Sequence, residues 1–260
     1  MPLPLHFREY GDGGDTLVLL HGLFGSSANW GSIARALADD YRVLVPDLRN
    51  HGRSPHAQGM DYTAMSADLL DLLERHGVKR CLLVGHSMGG KVAMQLALQQ
   101  PQRVAGLAVV DIAPLSYRHD FHVVLDAMAS IDLAGLRDRT QADRALAGAI
   151  PEGGVRGFLL QNLARAGSDW HWRINLEAIR KAMSDITGFE PPPGATYPGP
   201  AHFIFGERSD YVQPGAEGLI RPMFPRATFC PVAGAGHWVY AEQPEGFMRC
   251  LQAFLGMSRN

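Results

Sequence analysis

Short, almost uninterrupted apolar runs alternate with segments of helical periodicity along most of the chain. The runs lie at residues 16–20, 42–45, 80–84, 104–110, 202–205 and 227–230. Strands that are buried on both faces of a parallel sheet have such continuous apolar sequences. Strands that alternate with helices are typical of α/β folds. The chain is therefore predicted to form an open, mostly parallel sheet flanked by helices.

One long interval breaks this alternation. Residues 115–198 contain no convincing strand pattern, while amphipathic helical patterns cover about 121–130, 133–149, 155–166 and 174–183. An insertion between two strands of such a sheet is expected to lie over the carboxyl ends of the strands, where ligands bind. We therefore predict an α/β core of residues 1–114 and 199–260, with residues 115–198 as a helical cap.

Charge and hydropathy exclude several classes of partner. The chain has 24 Lys and Arg against 26 Asp and Glu, so it lacks the basic excess that nucleic acids or anionic membranes require. Its longest apolar run, 104–110, is much shorter than the ~18 residues of a membrane span. The first residues lack the basic and long apolar regions of a signal peptide. These observations predict no nucleic-acid partner, no membrane span and a cytoplasmic location.

The cysteines are Cys81, Cys230 and Cys250. They are odd in number, widely spaced and set among apolar residues, which indicates buried thiols rather than a disulfide framework. We expect three free thiols in a reducing compartment.

A serine lies in a glycine-rich turn between a predicted strand and a predicted helix. The segment is Gly85-His-Ser-Met-Gly-Gly90, with Ser87 at its centre. A serine held on such a sharp strand-to-helix turn is typical of a nucleophile elbow, and its placement makes the motif specific. Ser87 is therefore the candidate nucleophile.

A serine hydroxyl needs a base to remove its proton. His237 follows the last predicted strand on a loop of small residues, and its position after the serine suits this fold. His119 and His122 resemble metal ligands but have no further histidine or cysteine nearby, so we expect no metal site. His237 is the candidate base.

Acyl transfer also requires fixed donors for the oxyanion. The segment His21-Gly-Leu-Phe-Gly25 follows the first buried strand. A turn there can direct the backbone N–H of Leu23 towards the same point as the N–H of Met88, which follows the nucleophile. Leu23 and Met88 are the candidate oxyanion donors.

Taken together, these segments resemble the α/β-hydrolase fold over nearly the whole chain. The resemblance rests on His21-Gly22, residues 47–54, residues 85–90 and Gly236-His237, in that order. Within the superfamily the chain is most similar to YbfF-like bacterial esterases with a small helical cap. The resemblance implies hydrolysis of a small acyl ester, or an acyl thioester, by water through an acyl-serine without a cofactor. It also implies that residues 47–54 form a structural loop.

The acid of the triad has two candidates. Many members of the superfamily carry an aspartate three residues after a glycine that follows a late strand, but here Ser209 occupies that position and Asp210 comes next. Asp111 follows the preceding strand, and the similar subgroup has an aspartate there. We favour Asp111, with Ser209 as a hydrogen-bonding helper and Asp210 as the alternative.

Apolar residues around these segments predict an apolar pocket. Its candidate walls include Phe24 and Trp238, with cap residues such as Phe121. Other activities of this scaffold, such as C–C bond hydrolysis or perhydrolysis, are alternatives, as is a non-catalytic module that binds a small ligand. Acyl length, stereopreference and oligomeric state stay open.

Overall fold

The apolar runs form one mixed sheet. A computed structural model describes residues 1–257. Within them the strands are β1 (Phe7–Tyr10), β2 (Thr16–Leu20), β3 (Arg42–Pro46), β4 (Cys81–His86), β5 (Val104–Val110), β6 (Leu163–Ala166), β7 (Asp169–Trp172), β8 (Ala201–Gly206) and β9 (Ala227–Val232). Seven of these described strands lie in the order β1-β3-β2-β4-β5-β8-β9, and only β1 is antiparallel to its neighbour. The predicted mostly parallel sheet is confirmed.

Helices cover both faces of this sheet. In residues 1–257 they are α1 (Gly31–Leu37), α2 (Tyr62–Arg75), α3 (Met88–Gln99), α4 (His122–Ala129), α5 (Arg139–Leu146), α6 (Gly153–Leu160), α7 (Leu176–Lys181), α8 (Met183–Thr187), α9 (Ala216–Ile220), α10 (Val239–Glu242) and α11 (Pro244–Met257). Val18 and Leu20 pack into the core on the α2 and α3 side, whereas Leu17 and Leu19 pack on the α1 and α11 side. Within the same residues, no helix has the length and apolarity that a bilayer crossing requires.

The chain between β5 and β8 contains helices α4 to α8 and a small antiparallel hairpin, β6–β7. The expectation of an interval without strands is therefore wrong, and the helix predicted over 155–166 ends at Leu160. The hairpin reverses direction at Gly167, which has a φ of 62° that glycine adopts without steric cost. Its strands have only four residues each, too few to give a recognisable period of two.

The helix predicted over 133–149 is also shorter than expected. Asp138 begins α5 as its N-cap, because its carboxylate accepts a hydrogen bond from the Gln141 N–H at 2.8 Å. The preceding residues, from Leu133, are irregular in structure. A capping aspartate inside a helical pattern is thus the signal that sets this boundary.

Two of the three cysteines are paired. Cys230 in β9 and Cys250 in α11 form a disulfide, with their Cα atoms 6.0 Å apart, while Cys81 is a buried free thiol. The prediction of three thiols is wrong for Cys230 and Cys250, because the packing of α11 against β9 brings together residues that are 20 apart in the sequence. The cysteines therefore give no support to a reducing compartment.

The disulfide predicts a thiol count and a stability difference. Protein denatured without reductant should expose one reactive thiol, and reduced protein should expose three. Opening a loop of this size lowers the free energy of unfolding by about 3 kcal/mol through the entropy of the unfolded chain. Thiol titration and urea unfolding with and without reductant measure the two effects. The Cys230→Ala/Cys250→Ala variant is the control, since reductant should not change its stability, and three reactive thiols without reductant would contradict the pairing.

Candidate active site

Ser87 occupies a strained turn between β4 and α3. Its φ is 51° and its ψ is −119°, a conformation that residues with a side chain rarely adopt. The two glycines of the motif let the strand and helix approach closely. A Cβ atom on Gly85 would lie 2.2 Å from the Gly89 carbonyl oxygen, and one on Gly89 would lie 2.6 Å from the Leu20 carbonyl oxygen. No side chain fits either position, so the glycines are required by the turn.

His237 is oriented by a buried carboxylate. Its Nδ1 atom lies 2.7 Å from Oδ2 of Asp111, which follows β5 and is fully buried. An ionised carboxylate only accepts hydrogen bonds, so Nδ1 carries the proton and Nε2 has a free lone pair. The His237 ring also stacks on Tyr211, with ring centroids 4.0 Å apart. This arrangement leaves Nε2 able to accept a proton.

Asp111 receives hydrogen bonds from the next strand as well. The Gly206 N–H donates to Oδ1 at 3.0 Å, and the Ser209 hydroxyl donates to Oδ2. Burial of a carboxylate is costly unless such donors compensate it. Ser209 thus lies where a hydrogen-bonding helper of Asp111 is expected.

Asp210, the alternative acid, lies elsewhere. Its side chain is exposed, and its charge acts on His119. His237 donates instead to Asp111, which follows β5, the strand next to β8 in the sheet. The structure therefore brings together the favoured acid and the candidate base.

A cavity beside Ser87 is lined by both candidate oxyanion residues, Leu23 and Met88. Met88 begins α3, and the first N–H groups of a helix have no acceptor within that helix. The Leu23 loop packs directly on the elbow, since a Cβ on Gly22 would lie 3.2 Å from the Ser87 Cβ. Both backbone segments therefore border the space next to the serine.

Two contacts place His237 beside that cavity. Tyr211, on which it stacks, lines the cavity together with Ser87. His86, the residue before Ser87, donates from Nε2 to the His237 carbonyl oxygen at 2.9 Å. Burial, followed by the nearby His237, holds the pKa of His86 well below its ordinary value. His86 is thus a neutral donor between the serine turn and the histidine loop.

The two predicted wall residues lie outside this cavity. Phe24 is buried, its carbonyl oxygen accepts from Asn162, and its φ is 62°. Trp238 lies on the other side of His237, where it contacts Phe158 along an open groove. Neither is among the described residues that line the cavity next to Ser87, although Phe121 is.

Several cavity residues were not predicted from the sequence. They are Tyr62, Lys91, Ile112, Tyr117, His119, Ile186, Thr187 and Tyr211. Lys91 could have been found, since it is the only charged residue of helix α3 and comes four residues after Ser87. His119 was considered only as a possible metal ligand, and the others carry no sequence signal of their own that points to the site.

Two buried histidines hold the Leu23 loop. His51 Nε2 accepts from the Phe24 N–H at 3.2 Å, and His21 Nε2 accepts from the Leu48 N–H at 3.0 Å. Each ring donates from Nδ1 to a backbone carbonyl oxygen. Both rings must be neutral to accept, and burial lowers the pKa of His21 and brings that of His51 to about 3.

Comparison with known proteins agrees with this geometry. A family model described as the alpha/beta hydrolase fold matches residues 15–163. The chain belongs to the α/β-hydrolase family. It is 43% identical over 98% of its length to the mouse protein named sn-1-specific diacylglycerol lipase ABHD11, of which it covers 86%. It is 37% identical to Esterase YbfF of Escherichia coli, with 92% of each chain covered.

A solved structure supports the same assignment. The protein described as a marine microorganism esterase has a TM-score of 0.93 and 38% identity, with 97% of this chain and 99% of that chain covered. The predicted resemblance to YbfF-like α/β hydrolases is confirmed. The prediction of an ester-hydrolysing enzyme is confirmed at the level of the family, since these relatives are named esterases and lipases.

The contrast between the two aspartates of this α/β hydrolase predicts different variant activities. Asp111→Asn removes the charge that stabilises protonated His237 and permits the wrong tautomer, so we expect kcat to fall roughly 100-fold or more. Asp210→Asn should stay within about twofold of the unaltered protein. Steady-state hydrolysis of a p-nitrophenyl ester measures both, and circular dichroism checks folding. Loss of activity in Asp210→Asn with activity retained in Asp111→Asn would reverse the assignment.

The buried histidines predict a pH-dependent stability. Their pKa values are lower in the folded chain than the ordinary value of about 6.5, so the unfolded chain binds more protons below that pH. The free energy of unfolding should therefore fall as pH decreases from 6.5, by up to about 1.4 kcal/mol per pH unit for each histidine. Urea unfolding at pH 7 and pH 5 measures this.

A matched pair of variants isolates the contribution of one ring. His51→Gln should reduce the pH sensitivity of unfolding, whereas His122→Gln should not, because His122 is exposed on α4. Equal urea midpoints at pH 7 and pH 5 in the unaltered protein would show that these rings do not remain neutral on folding.

Proposed function

We propose that the protein hydrolyses carboxylic esters with Ser87 as nucleophile, His237 as general base and Asp111 as the acid of the triad. The observation that carries the proposal is the hydrogen bond from His237 to buried Asp111, next to a cavity lined by a strained serine. A histidine with a fixed tautomer beside a half-buried serine that lines a cavity is the arrangement that acyl transfer needs. The esterase and lipase names of the relatives support it.

Acylation begins when Nε2 of His237 removes the proton from Oγ of Ser87 as Oγ attacks the ester carbonyl carbon. The backbone N–H groups of Leu23 and Met88 donate to the oxyanion that forms. The protonated histidine, stabilised by Asp111, then gives its proton to the leaving alcohol as the C–O bond breaks. An acyl-serine remains.

Deacylation repeats these steps with water. His237 removes a proton from a water molecule, whose oxygen attacks the acyl carbonyl carbon, and the serine leaves with the proton. The free acid and the original enzyme result. Each step uses groups of this chain and water, so the proposed mechanism needs no cofactor. An acyl thioester can follow the same route, with a thiol as the leaving group.

We also propose that residues 115–198 are a cap on the core of residues 1–114 and 199–260. Phe121, Ile186 and Thr187 of this segment line the same cavity as Ser87. Asn162 donates to the carbonyl oxygen of Phe24, which ties the segment to the loop of the candidate oxyanion donors. A substrate acyl group would therefore lie between core and cap.

The cytoplasmic location stays a prediction. The disulfide between Cys230 and Cys250 is of a kind more frequent in oxidising compartments. Rapid alkylation of thiols in intact cells, followed by mass analysis, tests whether Cys230 and Cys250 are free thiols or a disulfide in the cell.

The proposed nucleophile predicts loss of turnover on a minimal change. Ser87→Ala should abolish hydrolysis of p-nitrophenyl butyrate, with at least a 1,000-fold loss of kcat, because no acyl-enzyme can form. Stopped-flow release of p-nitrophenol and mass detection of a Ser87 acyl adduct measure this. Ser168→Ala is the control, since Ser168 is exposed in the β6–β7 turn. A Ser87→Ala variant that keeps its turnover would overturn the mechanism.

A further inference from the structure

Lys91 is a buried amine beside the proposed nucleophile. It lies one turn after Ser87 on α3, and its side chain is about 1% exposed. Nζ donates to the carbonyl oxygens of Thr187 and Gly188 at 2.8 and 2.7 Å. It also lies 5.0 Å from the ring centroid of Tyr117 and 5.6 Å from that of Tyr62.

The ammonium group of Lys91 has no carboxylate partner within residues 1–257. Its partners are neutral carbonyl oxygens and aromatic ring faces, which compensate a buried charge only in part. Burial accordingly lowers the pKa of Lys91 to about 7. Buried amines elsewhere in proteins are usually paired, so this one is unusual as a purely structural residue.

This amine is also in reach of a substrate. Tyr62, Tyr117 and Thr187, which surround Nζ, line the same cavity as Ser87. An ammonium group has three N–H donors, and two of them are used by the carbonyl oxygens. The remaining wall is largely apolar and includes Leu23, Met88, Ile112, Phe121 and Ile186.

We propose that Lys91 binds a carboxylate at the far end of the acyl group, so that the enzyme prefers half-esters of short dicarboxylic acids. The proposal rests on the proposed ester hydrolysis at Ser87. The substrate carboxylate supplies the missing counter-charge, and its methylene groups contact the apolar wall between Lys91 and Ser87. A charge-assisted hydrogen bond of this kind is among the stronger polar contacts in proteins.

The test compares substrates that differ in that end group alone. Monoethyl esters of malonic, succinic, glutaric and adipic acids are each paired with a neutral ethyl ester in which an isopropyl group replaces the carboxylate. Ethanol release gives kcat/KM for both members of each pair. The unaltered enzyme should favour the charged member of its best pair by about 10- to 100-fold, as expected for a hydrogen bond between charged groups.

Variants then assign the preference to Lys91. Lys91→Met keeps the length of the side chain without its charge, and Lys91→Gln keeps N–H donors without charge. Both variants should lower the ratio of kcat/KM for the charged ester to kcat/KM for the neutral ester by at least tenfold, whatever their effect on the neutral ester alone. Lys79→Met should leave the ratio unchanged, because Lys79 is exposed.

Other results overturn the proposal. If Lys91 only connects α3 to residues 187 and 188, its substitution would lower kcat/KM equally for both members of a pair. The ratio of the two values would then not change. Equal kcat/KM for both members in the unaltered enzyme would reject it without any variant. If no ester of either kind is hydrolysed, the proposed function fails instead. Calorimetric binding of glutarate to the unaltered protein and to Lys91→Met then decides the Lys91 site.

Discussion

The arrangement of the site depends on the register between strands β4 and β5. His86 pairs with Val110, so the following residues, Ser87 and Asp111, leave neighbouring strands at the same level of the sheet. Each has a φ of 51°, and each donates its backbone N–H to the adjacent strand, to Val110 and Ile204 respectively. Such conformations cost of order 1–3 kcal/mol each and persist only where the surroundings fix them. Here the buried parallel ladder fixes them, so the same feature positions the proposed nucleophile and the proposed acid.

A second constraint is electrostatic. Asp111 is fully buried, and its carboxylate receives donors from Gly206, Ser209 and His237. These bonds stabilise the charge and also fix the imidazole. The Leu23 loop is held by a neutral group instead. His51 remains uncharged there, so its Nε2 atom can accept a hydrogen bond from the Phe24 N–H. The site thus combines a buried carboxylate held by three donors with neutral rings at His21 and His51 that hold the neighbouring loop.

The sequence predicts those features whose signal lies within a few neighbouring residues. The serine turn and the histidine loop depend on nearby glycines, so the sequence alone is enough to make Ser87 and His237 candidates. Asp111 was favoured through a family resemblance. The physical reason that separates it from Asp210 is the pairing of β5 with β8, which only the structure shows. The edge strand β1 was missed because it is half exposed and polar.

Other features depend on directions and contacts that no short segment encodes. The disulfide requires α11 to pack on β9, and the hairpin in the inserted segment has strands of only four residues. Trp238 follows His237 directly but lies against Phe158 on the groove side, since the side chains of consecutive residues diverge. Adjacency in sequence to a candidate site residue therefore does not predict that a side chain lines the cavity next to Ser87.

Asp111 and Lys91, two buried ionisable groups near Ser87, differ in what surrounds them. Asp111 receives three hydrogen-bond donors, including an imidazole that can become charged, so its charge is compensated by the chain itself. Lys91 donates to two neutral carbonyl oxygens of the inserted segment, and burial lowers its pKa. Because residues of the same segment line the cavity beside Ser87, the position of that segment and the state of Lys91 are coupled. An anion bound to Lys91 would raise the pKa of the amine. It would also stabilise the position of the segment that lines the cavity. Recognition of the acyl group and its enclosure can therefore occur together.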